Sequence, residues 1–287
     1  MTWELALDII LDALKDSALV FAFVFLVHII ISFIENSFSK YLVKNRHMGP
    51  LFGSLFGLIP QCGTSVLGAD LYIKKYITIG SLIAIFLSCS DEALIAILAS
   101  ANPEKMIMVL PLIGLKFVIG FIIGFLVDLI FRKQELHAMD QYEGHTCHLH
   151  DGNNGPFHKH FGHPLIHSIE IFVYVLIINL ILGFVIGFVG EDNFMSFIQS
   201  NRYLSPLFAS IIGLIPNCAS SLLLSELFIE NSLSFGALLS GLLVNAGLGM
   251  MVLFKSKRSA KSIIIIILVC FAVAVIAGYT CCLILGF

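Results

Sequence analysis

Apolar runs of roughly 20 residues, separated by short polar stretches, recur along the whole chain, and a helix of that length crosses a bilayer. Residues 2–16 predict an amphipathic opening: Leu7, Ile10, Leu11 and Leu14 share one face, while Glu4, Asp8, Asp12 and Asp16 share another at i, i+4 spacing. A first span is expected over 17–34, ending at Glu35-Asn36, followed by a polar loop with Lys40, Lys44, Arg46 and His47. An interrupted apolar segment at 50–73 comes next, then spans at 77–99 and 106–131 separated by an Asn102-Pro103 turn. A polar connector fills 132–164. The order then repeats: a span at 167–190, a polar loop, an interrupted segment at 206–229, and spans at 233–254 and 263–285.

The two interrupted segments are copies. Gly57-Leu58-Ile59-Pro60-Gln61-Cys62 returns as Gly213-Leu214-Ile215-Pro216-Asn217-Cys218, and residues 49–80 laid on 205–236 without a gap share 14 of 32 positions. A common membrane composition would match scattered Leu and Ile, not a frame of Pro, Cys and Gly. The chain therefore reads as two homologous membrane repeats, 1–131 and 165–287, joined by the 132–164 linker.

Composition agrees with an integral membrane protein, since 58% of residues are hydrophobic and 12% charged. No cleavable leader is expected, because Trp3, Glu4, Asp8 and Asp12 stand where a basic region belongs. Seven cysteines, mostly inside apolar runs, argue for packing thiols or ligands over a disulfide framework.

Lysine and arginine collect on the cytoplasmic side of membrane proteins. If both interrupted segments are re-entrant hairpins, twelve basic residues lie on one side and three on the other; if both cross fully, the split is nine to six. The hairpin reading is preferred. It gives an all-α polytopic membrane protein of two inverted repeats, each with three full transmembrane helices and one re-entrant broken-helix hairpin. Both termini are then outside and the linker is cytoplasmic. Non-helical backbone at membrane depth needs cover from protein or a water-filled cavity, and opposed discontinuous helices are the usual plan of a secondary transporter.

Candidate chemistry lies at the interruptions. Gln61, Cys62 and Thr64 in one copy, and Asn217, Cys218 and Ser220 in the other, each offer an amide, a thiol and a hydroxyl. Such donors suit a transition metal or a thiophilic metalloid, although Pro-x-Cys is also an ordinary kink with a small buried thiol. The 77–99 span carries Ser88, Cys89, Asp91 and Glu92. A central acid costs about 2.5–3.5 kcal/mol on insertion scales, so an acidic pair is a functional candidate unless it snorkels to water. The matching positions begin at Asn245 and carry no acid, so the chemistry is one-sided. Asp70 and Glu226 occupy equivalent places at hairpin ends, where nearby water would explain them. His28 and Glu35, seven apart on one helix face, are candidates for a proton relay or for simple core hydrogen bonding. Lys116 is either part of that relay as a counter-ion to Asp91 or Glu92, or a snorkelling side chain.

Eight of the ten histidines fall in 137–167, including His145, His148, His150, His158, His160 and His163, with Cys147 among them. Their spacing reads as loose, exchangeable metal binding, set against a plain polar linker.

The two Gly-Leu-Ile-Pro-(Gln/Asn)-Cys breaks, the Ser-Cys-Ser-Asp-Glu-Ala-Leu run at 88–94 and the central His-rich loop resemble the ten-segment heavy-metal exporter family. Members of that family are described as arsenic-efflux or manganese-transporter-like proteins. The resemblance covers essentially the whole chain and implies efflux of a metal or metalloid ion.

The expected function is secondary-active export of a divalent transition-metal cation, in exchange for protons or another cation, across the cytoplasmic (inner) membrane. Asp91 and Glu92 would bind cation or proton, with softer ligands from Cys62, Cys218, Cys89, Gln61, Asn217 and Asn245. An arsenite or organoarsenical permease is the near alternative. A polyprenyl-phosphate phosphatase or flippase is a distant one, since neither hairpin offers an Arg for phosphate. The expectation includes no catalysis, no resident cofactor and no nucleic acid; the partners are the metal ion, the bilayer and, compatibly, a second copy.

Overall fold

The computed structural model describes residues 48–59, 63–90, 93–100, 102–131, 202–215, 218–255 and 260–285, with scattered helical positions in 10–26 and 165–180. The regular elements among these residues are helices, with no strand among them. Within the scattered positions, Phe21 meets Phe172 edge-on at 5.8 Å, bringing together residues of the first expected span of each repeat.

The first repeat supplies α1 (Gly49–Gly57), α2 (Gly63–Ile73), α3 (Ile79–Ser88), α4 (Ala93–Ala99) and α5 (Pro103–Ile130). The second supplies α6 (Ser205–Gly213), α7 (Cys218–Ile229), α8 (Phe235–Val244), α9 (Gly249–Lys255) and α10 (Ala260–Leu285). Their starts follow local rules. Pro50 and Pro206 open α1 and α6, where a missing N–H costs nothing. Thr78 caps α3 by accepting from Ser81 N at 3.1 Å, Ser234 caps α8 by accepting from Ala237 N at 3.3 Å, and Asn102 caps α5 from Glu104 N at 3.2 Å.

Length separates two kinds of helix. The 28 residues of α5 and 26 of α10 are ample for a span, and their outer faces present Ile107, Leu110, Leu129, Ile276, Leu283 and Ile284 as a lipid-facing surface would. By contrast α1, α2, α3, α6 and α8 hold 9 to 11 residues, about half a bilayer core.

One expectation is corrected here. The 77–99 span is not a continuous helix: it stops at Ser88 and resumes at Ala93. The end is held by tertiary contacts, with Ser90 N donating to Gly57 O at 3.1 Å and Lys116 Nζ donating to the Cys89 carbonyl. The 233–254 span breaks likewise between Val244 and Gly249, where Gly247 takes a φ of 52° and donates its N–H to Asn245 Oδ1 at 2.9 Å. Each repeat thus has a second interrupted segment, although Phe235–Phe254 taken together is long and apolar enough to cross a membrane, as expected for 233–254.

Close contacts give the helix directions. Cβ atoms built at Gly49, Gly53 and Gly57 would strike Ser81, then Ser81 and Ile85, then Ile85 and Ser88, so α1 runs parallel to α3. On α2, Thr64 lies by Cys89 and Gly68 by Ile85, so α2 runs back antiparallel. The segment 49–73 is therefore a helical hairpin beside α3. In the second repeat Pro206 meets Ser240 and Gly213 meets Val244, while Ser220 meets Asn245 and Gly241 meets Leu224; the same hairpin forms beside α8.

α5 packs antiparallel on α3 through a backbone approach at Gly80 and Gly124, and α10 repeats this on α8 at Gly236 and Gly278. A Cβ at Gly80 would overlap the Gly124 carbonyl, so only glycine allows that spacing. Across the repeats the packing is reciprocal: α2 lies on α9, and α7 on α4. Gly249 N donates to Ser65 Oγ at 3.3 Å on one side, and Ser225 Oγ donates to Ala93 O at 3.4 Å on the other.

Candidate functional site

The C-terminal ends of α3 and α8 meet at Lys116. This residue stands midway along α5 and is 1% exposed, so it does not snorkel. Its Nζ donates to the carbonyl of Cys89, the C-cap of α3, and to the carbonyl of Leu242 in the last turn of α8, 2.9 Å away. Carbonyls at a helix C-terminus lack intrahelical partners and carry the negative end of the helix dipole. One ammonium therefore serves two half-helix ends, one from each repeat.

Around it, matched pairs link hairpin and broken span. Thr64 Oγ1 lies 3.8 Å from Cys89 Sγ, both buried. At the equivalent positions Asn245 Nδ2 donates to Ser220 Oγ at 3.5 Å. Ser220 Oγ donates to Ile215 O at 3.0 Å and so ties the start of α7 to the strand of chain before it. Ser88 is buried and returns its hydroxyl to Ala84 O, which bends it away from the break. Lys116 thus joins the end of α3, where Thr64 and Cys89 meet, to the last turn of α8, three residues before Asn245.

Of the expected site residues, the structure brings together Thr64, Ser88, Cys89, Lys116, Ser220 and Asn245. Gln61, Cys62, Asp91, Glu92 and Asn217 lie outside the described residues, as does the side chain of Cys218 at the start of α7. By chain connection, Gln61-Cys62 directly precede α2 and Asp91-Glu92 directly precede α4. His28, Glu35 and the linker histidines His145, His148, His150, His158, His160 and His163 are outside the described residues too. Among the described residues no group of three His, Cys, Asp or Glu side chains gathers as a metal site. Asp70 is buried and bound to the part-exposed Lys74 at 2.7 Å.

Two features escaped the sequence reading. Asp128, near the end of α5, accepts from Thr78 Oγ1 at 2.6 Å and from Gly80 N at 2.9 Å, placing a carboxylate on the N-terminus of α3. Cys282 takes that place on α10, 3.4 Å from Ser234. Since Gly124 and Asp128 correspond to Gly278 and Cys282, the position on α10 that corresponds to Lys116 is Cys270, also fully buried. At the opposite end of α5, Lys105 Nζ sits 4.1 Å above the ring of Phe228, near the end of α7.

A family model described as "Putative, 10TM heavy-metal exporter" matches residues 2–191 and again 167–285. No curated protein and no solved structure matches the chain.

Proposed function

We propose that this chain, which belongs to the ten-transmembrane heavy-metal exporter family, is a secondary-active carrier that moves a divalent transition-metal cation outward in exchange for protons. Membership makes it a multi-pass membrane protein of a metal-exporting family; the ion, the coupling and the site are our reading. The observation that carries it is the buried cluster at mid-depth of α5, where broken-helix ends of both repeats converge on Lys116. In secondary transporters, unwound backbone and half-helix ends near the membrane midplane hold the transported ions.

Several relationships support inverted repeats with re-entrant hairpins. The open end of the first hairpin lies by Thr78, which Asp128 holds at the C-terminal end of α5. The far end of the second hairpin lies under Lys105, at the N-terminal end of α5. Those two points are about 34 Å apart along a helix, close to a hydrocarbon thickness. Hairpins that open at opposite ends of one spanning helix are what two oppositely inserted repeats produce.

In this reading Asp91 and Glu92 hold the cargo. Two carboxylates can carry two protons in one leg of the cycle and one divalent cation in the other, so exchange leaves the charge of the site unchanged. A buried site in low dielectric favours such neutrality. Cys89, Thr64, Ser220 and Asn245, with Gln61, Cys62, Asn217 and Cys218 of the adjoining breaks, supply softer and neutral ligands. The His-rich linker, 132–164, would collect cytosolic metal ahead of the pathway.

Reconstituted vesicles with an imposed pH gradient and a panel of divalent metals test the proposal. The expected result is metal flux driven by, and dissipating, the proton gradient. Absence of flux for every metal in the panel would reject it.

A further inference from the structure

Lys116 occupies the kind of place that an inorganic coupling ion takes in other broken-helix carriers. Carbonyls at the C-terminal ends of discontinuous helices are natural ligands for an alkali cation, because they are unpaired within the helix and lie at its negative pole. Here the Cys89 carbonyl of α3 and the Leu242 carbonyl of α8 converge from the two repeats, and the ammonium of Lys116 binds both. The ammonium is tethered to α5, which packs on α3 through Gly120 and Gly124. It therefore cannot leave as a free ion would. The corresponding position in the second repeat is Cys270 and not a second lysine, so the two repeats do not supply a symmetric pair of ammoniums there.

We propose that the ammonium of Lys116 is a resident substitute for an alkali coupling cation. It closes the shared carbonyl site to Na⁺ and K⁺ in the wild type, and its removal turns that site into an alkali-ion site. The binding claim rests on the fold alone. Its consequence for coupling, namely that export is indifferent to alkali-ion gradients, rests on the transport reading above.

The test is thermal unfolding of the purified full chain in detergent, in NaCl, KCl or choline chloride at matched ionic strength. A ligand that binds only the folded state raises the melting temperature. Wild type should melt at the same temperature in all three salts. Lys116→Ala should melt lower than wild type in choline and gain about 3 °C or more in an alkali salt, the shift expected for about 1 kcal/mol in a chain of this size. Lys116→Met, whose unbranched side chain keeps most of the packed volume, should gain less, because its thioether fills the cavity. Alkali protection of wild type equal to that of Lys116→Ala overturns the proposal. So does a folded Lys116→Ala that responds to neither salt, and so does failure of both variants to fold in every salt, since the ion then cannot replace the ammonium. Metal flux is not read, so failure of the transport reading leaves this result standing.

Discussion

Lys116 Nζ and the carbonyl oxygen of Leu242 are hydrogen-bonded at 2.9 Å although 126 positions separate them. The bond ties the first repeat to the second at the point where both have broken helices. Replacing Lys116 with Met would leave two buried carbonyls without their donor, at about 1–3 kcal/mol each. The expected outcome is a melting temperature lower by several degrees in detergent without alkali salt, and loss of metal flux. Unchanged stability would mean that the ammonium is not what joins the repeats.

Asp91 and Glu92 carry the cargo in the proposed cycle. Changing both to Asn and Gln keeps their shape and removes the charge that a divalent cation requires. Flux of divalent metal should fall at least tenfold, which corresponds to about 1.4 kcal/mol or more of lost binding or barrier, while the variant still elutes as a folded protein. Preserved flux of arsenite in the same variant, with no divalent flux in wild type, would instead favour a neutral metalloid as substrate.

The carboxylate of Asp128 accepts from Thr78 and from Gly80 N at the start of α3. Its replacement by Ala removes a charge-assisted cap that joins α5 to α3, and about 1–2 kcal/mol of stability should be lost. Because Asp128 stands about three helical turns from Lys116 along α5, the affinity for metal should hold at a temperature where the variant is folded. A change in apparent affinity without a change in melting temperature would assign Asp128 to the transport path.

Two glycines of α5 predict opposite signs. Alanine at Gly124 would bring its Cβ to 2.6 Å from the Gly80 carbonyl and 2.8 Å from the Ala84 Cβ, forcing α3 and α5 apart. Overpacking of that kind costs about 1–3 kcal/mol or more. Alanine at Gly114 meets nothing within 4 Å and should stabilise the helix by about 0.5–1 kcal/mol. Thermal unfolding of the two variants decides between them.

Deleting 137–163 removes all seven histidines of the linker and leaves both repeats intact. Apparent metal affinity or its regulation should shift, with flux retained. Complete loss of flux in a folded deletion variant would make the linker part of the pathway.

The duplicated hairpins were legible because their frame is built of Pro, Gly and Cys, residues that local geometry needs and that hydropathy does not repeat by chance. The breaks in the following spans were harder to see. Ser88-Cys89-Ser90 contains neither Gly nor Pro, and the Asp91-Glu92 pair after it reads as candidate chemistry and not as a helix end; the α3 end depends on donors from Ser90 and Lys116 that only the assembled fold supplies. Gly247 was the better signal in the other repeat, since its positive φ suits a break. The place of Lys116 was hidden for a different reason. Residues 49–80 match at an offset of 156, whereas Gly124 and Gly278 correspond at 154, so matching the repeats at one fixed offset never sets Lys116 against Cys270. The acidic pair and the paired cysteines of the hairpins stand out in the sequence by cost and by repetition.

The pairing of Lys116 with Cys270 also makes the two repeats non-interchangeable. A chain assembled from two first repeats would drive two ammoniums toward one carbonyl cluster, where like charges in a low dielectric repel strongly. A chain of two second repeats would hold thiols at both positions and leave the helix-end carbonyls to whatever cation or water reached them. At this position each repeat therefore suits a partner of the other kind.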